Sequence, residues 1–259
     1  MYDNIYIMLI TVGLSGRISG HGLLDNANTT AEVFGVVFLF AFIQFLNSKQ
    51  KKKVVIYLFV AAVIFLEMIF NKSRGQQLAL FVGILLVICF VPRDNLKRLI
   101  PIALFGMIIL GAMLYFTNIL EMIFNRNLTF GCRSAIWKEL WASAMQTPIF
   151  GRGSGSSTGY TAYCKHSADP FIGTHSVYMG VFLHQGVVGV LLALSLTGSS
   201  IVAAYKSIHQ HDAFWGIIII YGFIALIPNG DSLISRPNEV WMLFWIPVAF
   251  IASRQKTLC

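Results

Sequence analysis

The chain is a succession of apolar runs, and their length decides the fold class before any other feature is weighed. Runs of spanning or near-spanning length fall at about 31–47, 54–70, 76–92, 99–117, 175–204, 213–228 and 239–252. A helix needs about 20 apolar residues to cross roughly 30 Å of hydrocarbon. A backbone exposed to lipid must also satisfy its own hydrogen bonds, so each run is predicted to be helical. Only 12% of the 259 residues are charged and 56% are hydrophobic. A soluble domain would carry roughly a quarter of its residues charged, so lipid is the expected solvent. The expectation is one integral membrane domain over 1–259, all-α and polytopic, with about seven to eight transmembrane helices. The last two runs are short, and 175–204 is long enough to tilt or to project from the bilayer.

The stretch 5–14 is too short to cross comfortably, and it lacks the basic segment and cleavage site of a secretory signal. It reads as the end of a helix that a longer relative would have complete. The formal charge of +8 would hint at nucleic acid in a soluble protein. Here the basic residues sit in the breaks between apolar runs, so topology accounts for them and no nucleic-acid partner is expected. One set of breaks is dense in charge: Lys49, Lys51, Lys52 and Lys53, then Arg93, Lys97 and Arg98, then Lys206, Arg254 and Lys256. By the positive-inside tendency that set is cytoplasmic, together with the C-terminus. Arg17, Lys72 and Arg74, the long segment 118–174 and Arg236 then lie outside.

Residues 118–174 form the one stretch long enough for an extramembrane element, a large loop on the outer side of the membrane. Within it "RSAIWKELWASAM" places Ile136, Trp137, Leu140, Trp141 and Ala144 at helical spacing, with Lys138 and Glu139 opposite. That pattern predicts a short helix lying on the membrane surface, its tryptophans at headgroup depth and in contact with membrane lipids. "PIFGRGSGSSTGY" follows as a loop by composition.

Several polar residues need a reason. Arg74 lies at the outer end of a helix, either as a functional cation or as a snorkelling anchor. Arg133 opens the surface helix, and Arg152 sits in the glycine-rich loop. A planar guanidinium suits phosphate oxygens, and lipid headgroups would serve as well as a substrate. His175 stands where the loop enters the 175–204 run, with His184 nine residues on. On one helix the two would point to opposite faces about 13 Å apart, so they cannot share a metal. A lone histidine is commonly a packed or capping residue. No metal-ligand spacing, phosphate loop or hydrolase elbow appears in the sequence. Cys132 and Cys164 both lie in the outside segment, where an oxidising compartment permits a disulfide between them. Two free thiols is the alternative.

Three elements in order, "SRGQQLALFVGILL", "RSAIWKELWASAMQTPIFGRGSG" and "HSVYMGVFLHQGVVGVLL", carry a family resemblance. Together with "GRISGHGLLDNANTTAEVFG" they are similar to the O-antigen ligase family and its relatives, the Wzy-type polymerases. The likeness runs from about residue 13 onward. Ser176 stands where that family usually has Asn, and the chain is shorter than typical members, as a truncated or minimal form would be. The resemblance implies glycosyl transfer, without nucleotide, metal or other cofactor, at the outer face of the inner membrane. The donor would be a glycan on undecaprenyl diphosphate. The acceptor would be a sugar hydroxyl, on lipid A–core for a ligase or on a second lipid-linked glycan for a polymerase. Arg74 and Arg133 would stabilise the leaving diphosphate and His175 would take the acceptor proton, with inversion at the anomeric carbon. Arg17, Arg152, Trp137 and Tyr178 would contact the substrates. A related protein O-glycosyltransferase is a further enzyme reading. A transporter or inactive scaffold is the rival from another class, and the ionisable residues placed for it are Glu67, His184 and Glu32.

Overall fold

The computed structural model describes residues 26–71, 73–90, 97–100, 133–163, 173–209, 213–234 and 238–255. Arg17, Lys72, Arg236, Cys132, Cys164, the stretch 5–14 and nearly all of the 99–117 run lie outside the described residues. Among the described residues 77% are helical and none forms a strand. The helices are α1 (Ala27–Asn47), α2 (Lys51–Asn71), α3 (Arg74–Phe90), α4 (Arg133–Ala144), α5 (Val177–His209) and α6 (Ala213–Ala225). A π-helical turn, Trp241–Trp245, then leads into α7 (Ile246–Gln255). By length and composition α1, α2 and Val177–Lys206 of α5 are sufficient to cross a membrane, whereas α3, α6 and Trp241–Ser253 are apolar but shorter.

Local chemistry sets the helix ends. Asn26 caps α1, its side chain accepting the Asn28 N–H at 2.8 Å. The helix therefore starts ahead of the apolar run at 31. The α2 helix begins in the exposed lysines 51–53, whose long side chains can reach the headgroups while the backbone is already helical. The α6 helix stops at Ala225 because Pro228 follows and disfavours helical geometry just before it. On α2 only Ala61, Met68 and Asn71 are buried, while Val55 and Phe59 are about two-thirds exposed. Such a face has no place in water and belongs against lipid.

The core is organised around α6, apolar on every side, which packs against α3, α5 and α1. Tyr221 of α6 is fully buried and donates its hydroxyl to the Glu32 carbonyl at 3.0 Å. It fits because Gly35 leaves the space open: a Cβ there would stand 2.0 Å from the Tyr221 hydroxyl.

The long apolar run after His175 is not one continuous helix. It breaks at Gly186, with φ 64° and ψ −159°, a backbone region essentially restricted to glycine. The break leaves unpaired N–H and C=O groups in the middle of α5, and the turn 148–153 supplies their partners. Val187 N–H donates to the Pro148 carbonyl (2.8 Å) and Val188 N–H to that of Ile149 (3.2 Å). In return the Leu183 and His184 carbonyls accept from Arg152 N–H (3.0 Å) and Gly153 N–H (2.9 Å). Gly151 and Gly186 meet backbone to backbone, since a Cβ on Gly151 would stand 2.4 Å from the His184 main chain and one on Gly186 2.4 Å from that of Ile149. The bend is sharp. Val177, Tyr178 and Val181 before the break line one small apolar pocket with Ala193 and Thr197 after it, although a straight helix would separate Val177 from Thr197 by about 30 Å.

The α4 helix forms where the tryptophan-bearing pattern predicts it. It buries Ile136, Leu140, Ser143 and Ala144, and leaves Lys138 and Glu139 exposed. It lies beside the first half of α5, running in the same direction. Leu140 and Ala144 pack with Leu183, and the Trp141 and Phe182 rings lie 5.1 Å apart.

Candidate functional site

Three helix starts converge on the turn that follows α6, residues 226–231. Gly75, the second residue of α3, lies so close to Pro228 that a Cβ would be 2.5 Å from the proline ring. Arg133, the first residue of α4, donates from Nε to the Pro228 carbonyl at 3.0 Å. Val177, the first residue of α5, donates its N–H to the Asn229 carbonyl at 3.1 Å. None of the three helices has an acidic residue in its first turn. No carboxylate of their own first turns therefore offsets their positive ends. Arg133, half-buried, adds a guanidinium group to this turn, and the exposed Arg74 precedes Gly75 at the start of α3. The arrangement favours an anion, and a group with several oxygens above all.

His175 sits just before α5, not on it, with φ +49°, the one described residue other than glycine in the left-handed region. What holds it there is Asp231, whose Oδ1 accepts the His175 N–H at 3.1 Å and the Thr174 hydroxyl at 3.1 Å. Glycines make room for this contact. A Cβ at Gly180 would stand 1.8 Å from the Asp231 carbonyl oxygen, and one at Gly173 would stand 3.0 Å from Oδ1. Ser176 then caps the helix, its hydroxyl oxygen accepting the Met179 N–H at 3.5 Å. Serine and asparagine do this equally well, so the departure at this position leaves the geometry of His175 intact.

The imidazole is half-buried, and burial holds its pKa below the ordinary 6.5. The negative Asp231 works against that shift and the positive Arg133 adds to it, so both groups lie within electrostatic reach of the ring. Burial likewise lowers the pKa of Arg133. Tyr160 donates its hydroxyl to the Gly173 carbonyl at 2.7 Å, and burial, helped by Asp231, pushes its pKa up to about 12. A neutral imidazole beside a charged guanidinium is chemically suited to take a proton while the arginine faces an anion.

The expected residues separate into groups. Arg133 and His175 meet at the 226–231 turn, and Arg74 is the chain neighbour of Gly75, which packs on Pro228. Tyr178 is adjacent but turned inward, its hydroxyl donating to the Phe223 carbonyl at 2.8 Å. Trp137 lies one turn along α4 from Arg133. Arg152 lies past the end of α4 and beside the break in α5, its side chain donating to Gln146 Oε1 at 2.6 Å and its N–H to the Leu183 carbonyl at 3.0 Å. His184 is nearby, with Nδ1 3.2 Å from the Gly153 carbonyl and 3.3 Å from the Ser156 hydroxyl, which fits the capping reading. Arg17, Cys132 and Cys164 fall outside the described residues. Among the described residues, no group of three His, Cys, Asp or Glu side chains could hold a metal ion. Sequence reasoning missed Asp231 and Asn229. The "PNGD" turn after an apolar run was the available signal, but nothing local ties it to a histidine 56 positions away.

Residues 59–194 match the model of a family described as O-antigen ligase. Over 242 residues the chain is 24% identical to an O-antigen ligase of Pseudomonas aeruginosa, covering 91% of this chain and 56% of that protein. The chain thus spans about half the length of the curated relative it matches.

Proposed function

Because this chain belongs to the O-antigen ligase family, we propose that it transfers a glycan from undecaprenyl diphosphate to a sugar hydroxyl of lipid A–core. The observation that carries this reading is the convergence on one turn of the starts of α3, α4 and α5, which carry or adjoin Arg74, Arg133 and His175. Breaking the bond between C1 and the phosphate oxygen leaves negative charge on the undecaprenyl diphosphate. Arg74, Arg133 and the helix ends offset that charge in the transition state. The acceptor hydroxyl attacks C1 from the opposite face and loses its proton to His175, so the anomeric configuration inverts. Asp231 positions the histidine through its backbone and stabilises the imidazolium that forms. Arg17, Arg152, Trp137 and Tyr178 are proposed as contacts to the sugars or lipid headgroups.

In this reading the chain is one integral domain of the inner membrane with seven or eight spans. Residues 118–174 and the site lie on the periplasmic side, and the C-terminus is cytoplasmic. A Cys132–Cys164 bridge would tie the start of α4 to the segment before His175; non-reducing mass spectrometry that finds both thiols free ends that part.

The test is complementation of a ligase-deficient Gram-negative host with wild type, His175→Ala and Arg133→Ala at matched membrane levels. Surface polysaccharide is read as a gel ladder. A ladder from wild type and from neither variant supports the reading. A full ladder from His175→Ala would sink the mechanism. No ladder in that host, with one restored in a polymerase-deficient host, would move the acceptor to a second lipid-linked glycan.

A further inference from the structure

Glu32 is a fully buried carboxyl on α1 that the mechanism above leaves without a task. Its Oε1 accepts two side-chain amides, Asn229 Nδ2 at 2.9 Å and Gln76 Nε2 at 3.0 Å. Its Oε2 is buried with no hydrogen-bond partner among the described residues. Gln76 is bonded in turn to the hydroxyl of Ser73, which also donates to Asn28 Oδ1 at 2.8 Å. The Glu32 carbonyl accepts Tyr221, so the α1 end of the network is locked to α6.

Each of the three residues assigned to chemistry is linked to this network, along the chain or through a hydrogen bond to the 226–231 turn. Arg74 is flanked by Ser73 and Gln76. Arg133 bonds the carbonyl of Pro228, next to Asn229. His175 is two residues before Val177, whose N–H donates to the Asn229 carbonyl. Asp231, which holds His175, is two residues after Asn229. One carboxyl oxygen thus joins the start of α3 to the turn that receives α4 and α5. Apolar packing alone would tolerate sliding of these elements by a fraction of a turn, whereas a buried, directional polar node does not.

We propose that Glu32 is a positioning residue for the transfer reaction. Through Oε1 it holds Gln76 and Asn229 so that Arg74, Arg133 and His175 keep their mutual geometry. The inference rests on the proposed function, and it assigns Glu32 neither a proton nor a transported ion. The carboxyl acts as an acceptor through a single oxygen, and the Oε1 of a glutamine reproduces that acceptor.

The experiment uses the full chain in proteoliposomes with an undecaprenyl-diphosphate-linked glycan and lipid A–core. It compares wild type, Glu32→Gln, Glu32→Leu and the double variant Glu32→Leu/Asn229→Leu. In the double variant neither the carboxyl nor its Asn229 partner remains to be left unsatisfied in the core. The readouts are kcat, KM, thermal unfolding, and amide exchange over 174–180 and 226–233. Expected for the double variant are unfolding close to wild type, KM within about twofold, and kcat lower by about 30-fold or more, the scale set by sub-ångström to ångström misplacement. Amide exchange in both segments should rise. Glu32→Gln should keep kcat within about threefold. A double variant that folds and turns over like wild type overturns the proposal. So does a Glu32→Gln enzyme as slow as Glu32→Leu, since that result assigns the carboxyl a proton or an ion. If wild type itself shows no transfer, the functional reading fails, and the exchange pattern alone then decides whether Glu32 holds the two segments. Should Glu32→Leu fail to fold, Glu32→Gln and Asn229→Ala give the same comparison.

Discussion

Substituting Gly180 by alanine tests the geometry of the site without touching any group assigned to chemistry. The added Cβ would lie 1.8 Å from the Asp231 carbonyl oxygen, and ordinary contact begins at 3.4 Å, so the two must part by about 1.6 Å. The obstacle is backbone, with no rotamer that could swing aside. The Asp231 turn must lift away from the start of α5. The His175 N–H and the Thr174 hydroxyl each reach Asp231 Oδ1 at 3.1 Å, and a displacement of that size breaks both bonds. Losing a hydrogen bond to a charged group costs about 1.5–3 kcal/mol. His175 then has nothing to keep it in the left-handed region, which disfavours a residue with a Cβ by about 1–2 kcal/mol. An ångström of misplacement at a reacting group lowers the rate on the order of 100-fold. Gly198, on the same helix, is the control because a Cβ there meets nothing within 4 Å. Its change to alanine should leave transfer unchanged and add up to about 1 kcal/mol of helix stability. The assay is initial-rate glycan transfer in proteoliposomes, with thermal unfolding recorded for both variants. A Gly180→Ala protein that transfers at the wild-type rate would refute the reasoning, and with it the role given to Asp231.

Two further outcomes follow from the same geometry. The acid side of the kcat/KM profile of wild type should have its midpoint below 6.5, because burial favours the neutral imidazole of His175. Asp231→Asn removes a charge that raises this pKa, so the midpoint should fall further. Arg133→Gln removes a charge that lowers it, so the midpoint should rise. Shifts in the same direction, or none, would show that the titrating group is not His175. Gly186→Ala should undock the 148–153 turn, since its Cβ would stand 2.4 Å from the Ile149 carbonyl in a backbone region alanine avoids. Tryptic cleavage after Arg152 should then become several-fold faster than in wild type, and an unchanged cleavage rate would mean the break in α5 needs no glycine.

The sequence by itself determined what is local in range. Apolar length made the chain a helical membrane protein. Helical spacing of Ile136, Trp137, Leu140, Trp141 and Ala144 marked α4, of which Ile136, Leu140 and Ala144 are buried, and the order of the S-R-G, R-x-x-x-W and H-x-x-Y segments pointed to the family. Arg74, Arg133 and His175 were legible for the same reason, because each sits in a short segment with its own pattern. Tertiary structure alone decided how those segments meet. Asp231 reaches back 56 residues to His175, and Asn229 reaches 197 residues to Glu32. No periodicity records such contacts, since they depend on where the 226–231 turn falls once α1, α3 and α5 have packed around α6. The break at Gly186 is of the same kind. An isolated "HQGVVG" inside an apolar run reads as continuous helix, because an isolated helix would satisfy its backbone by continuing. It bends here because the 148–153 turn, from a distant part of the chain, supplies the hydrogen-bond partners that the straight helix would have supplied for itself.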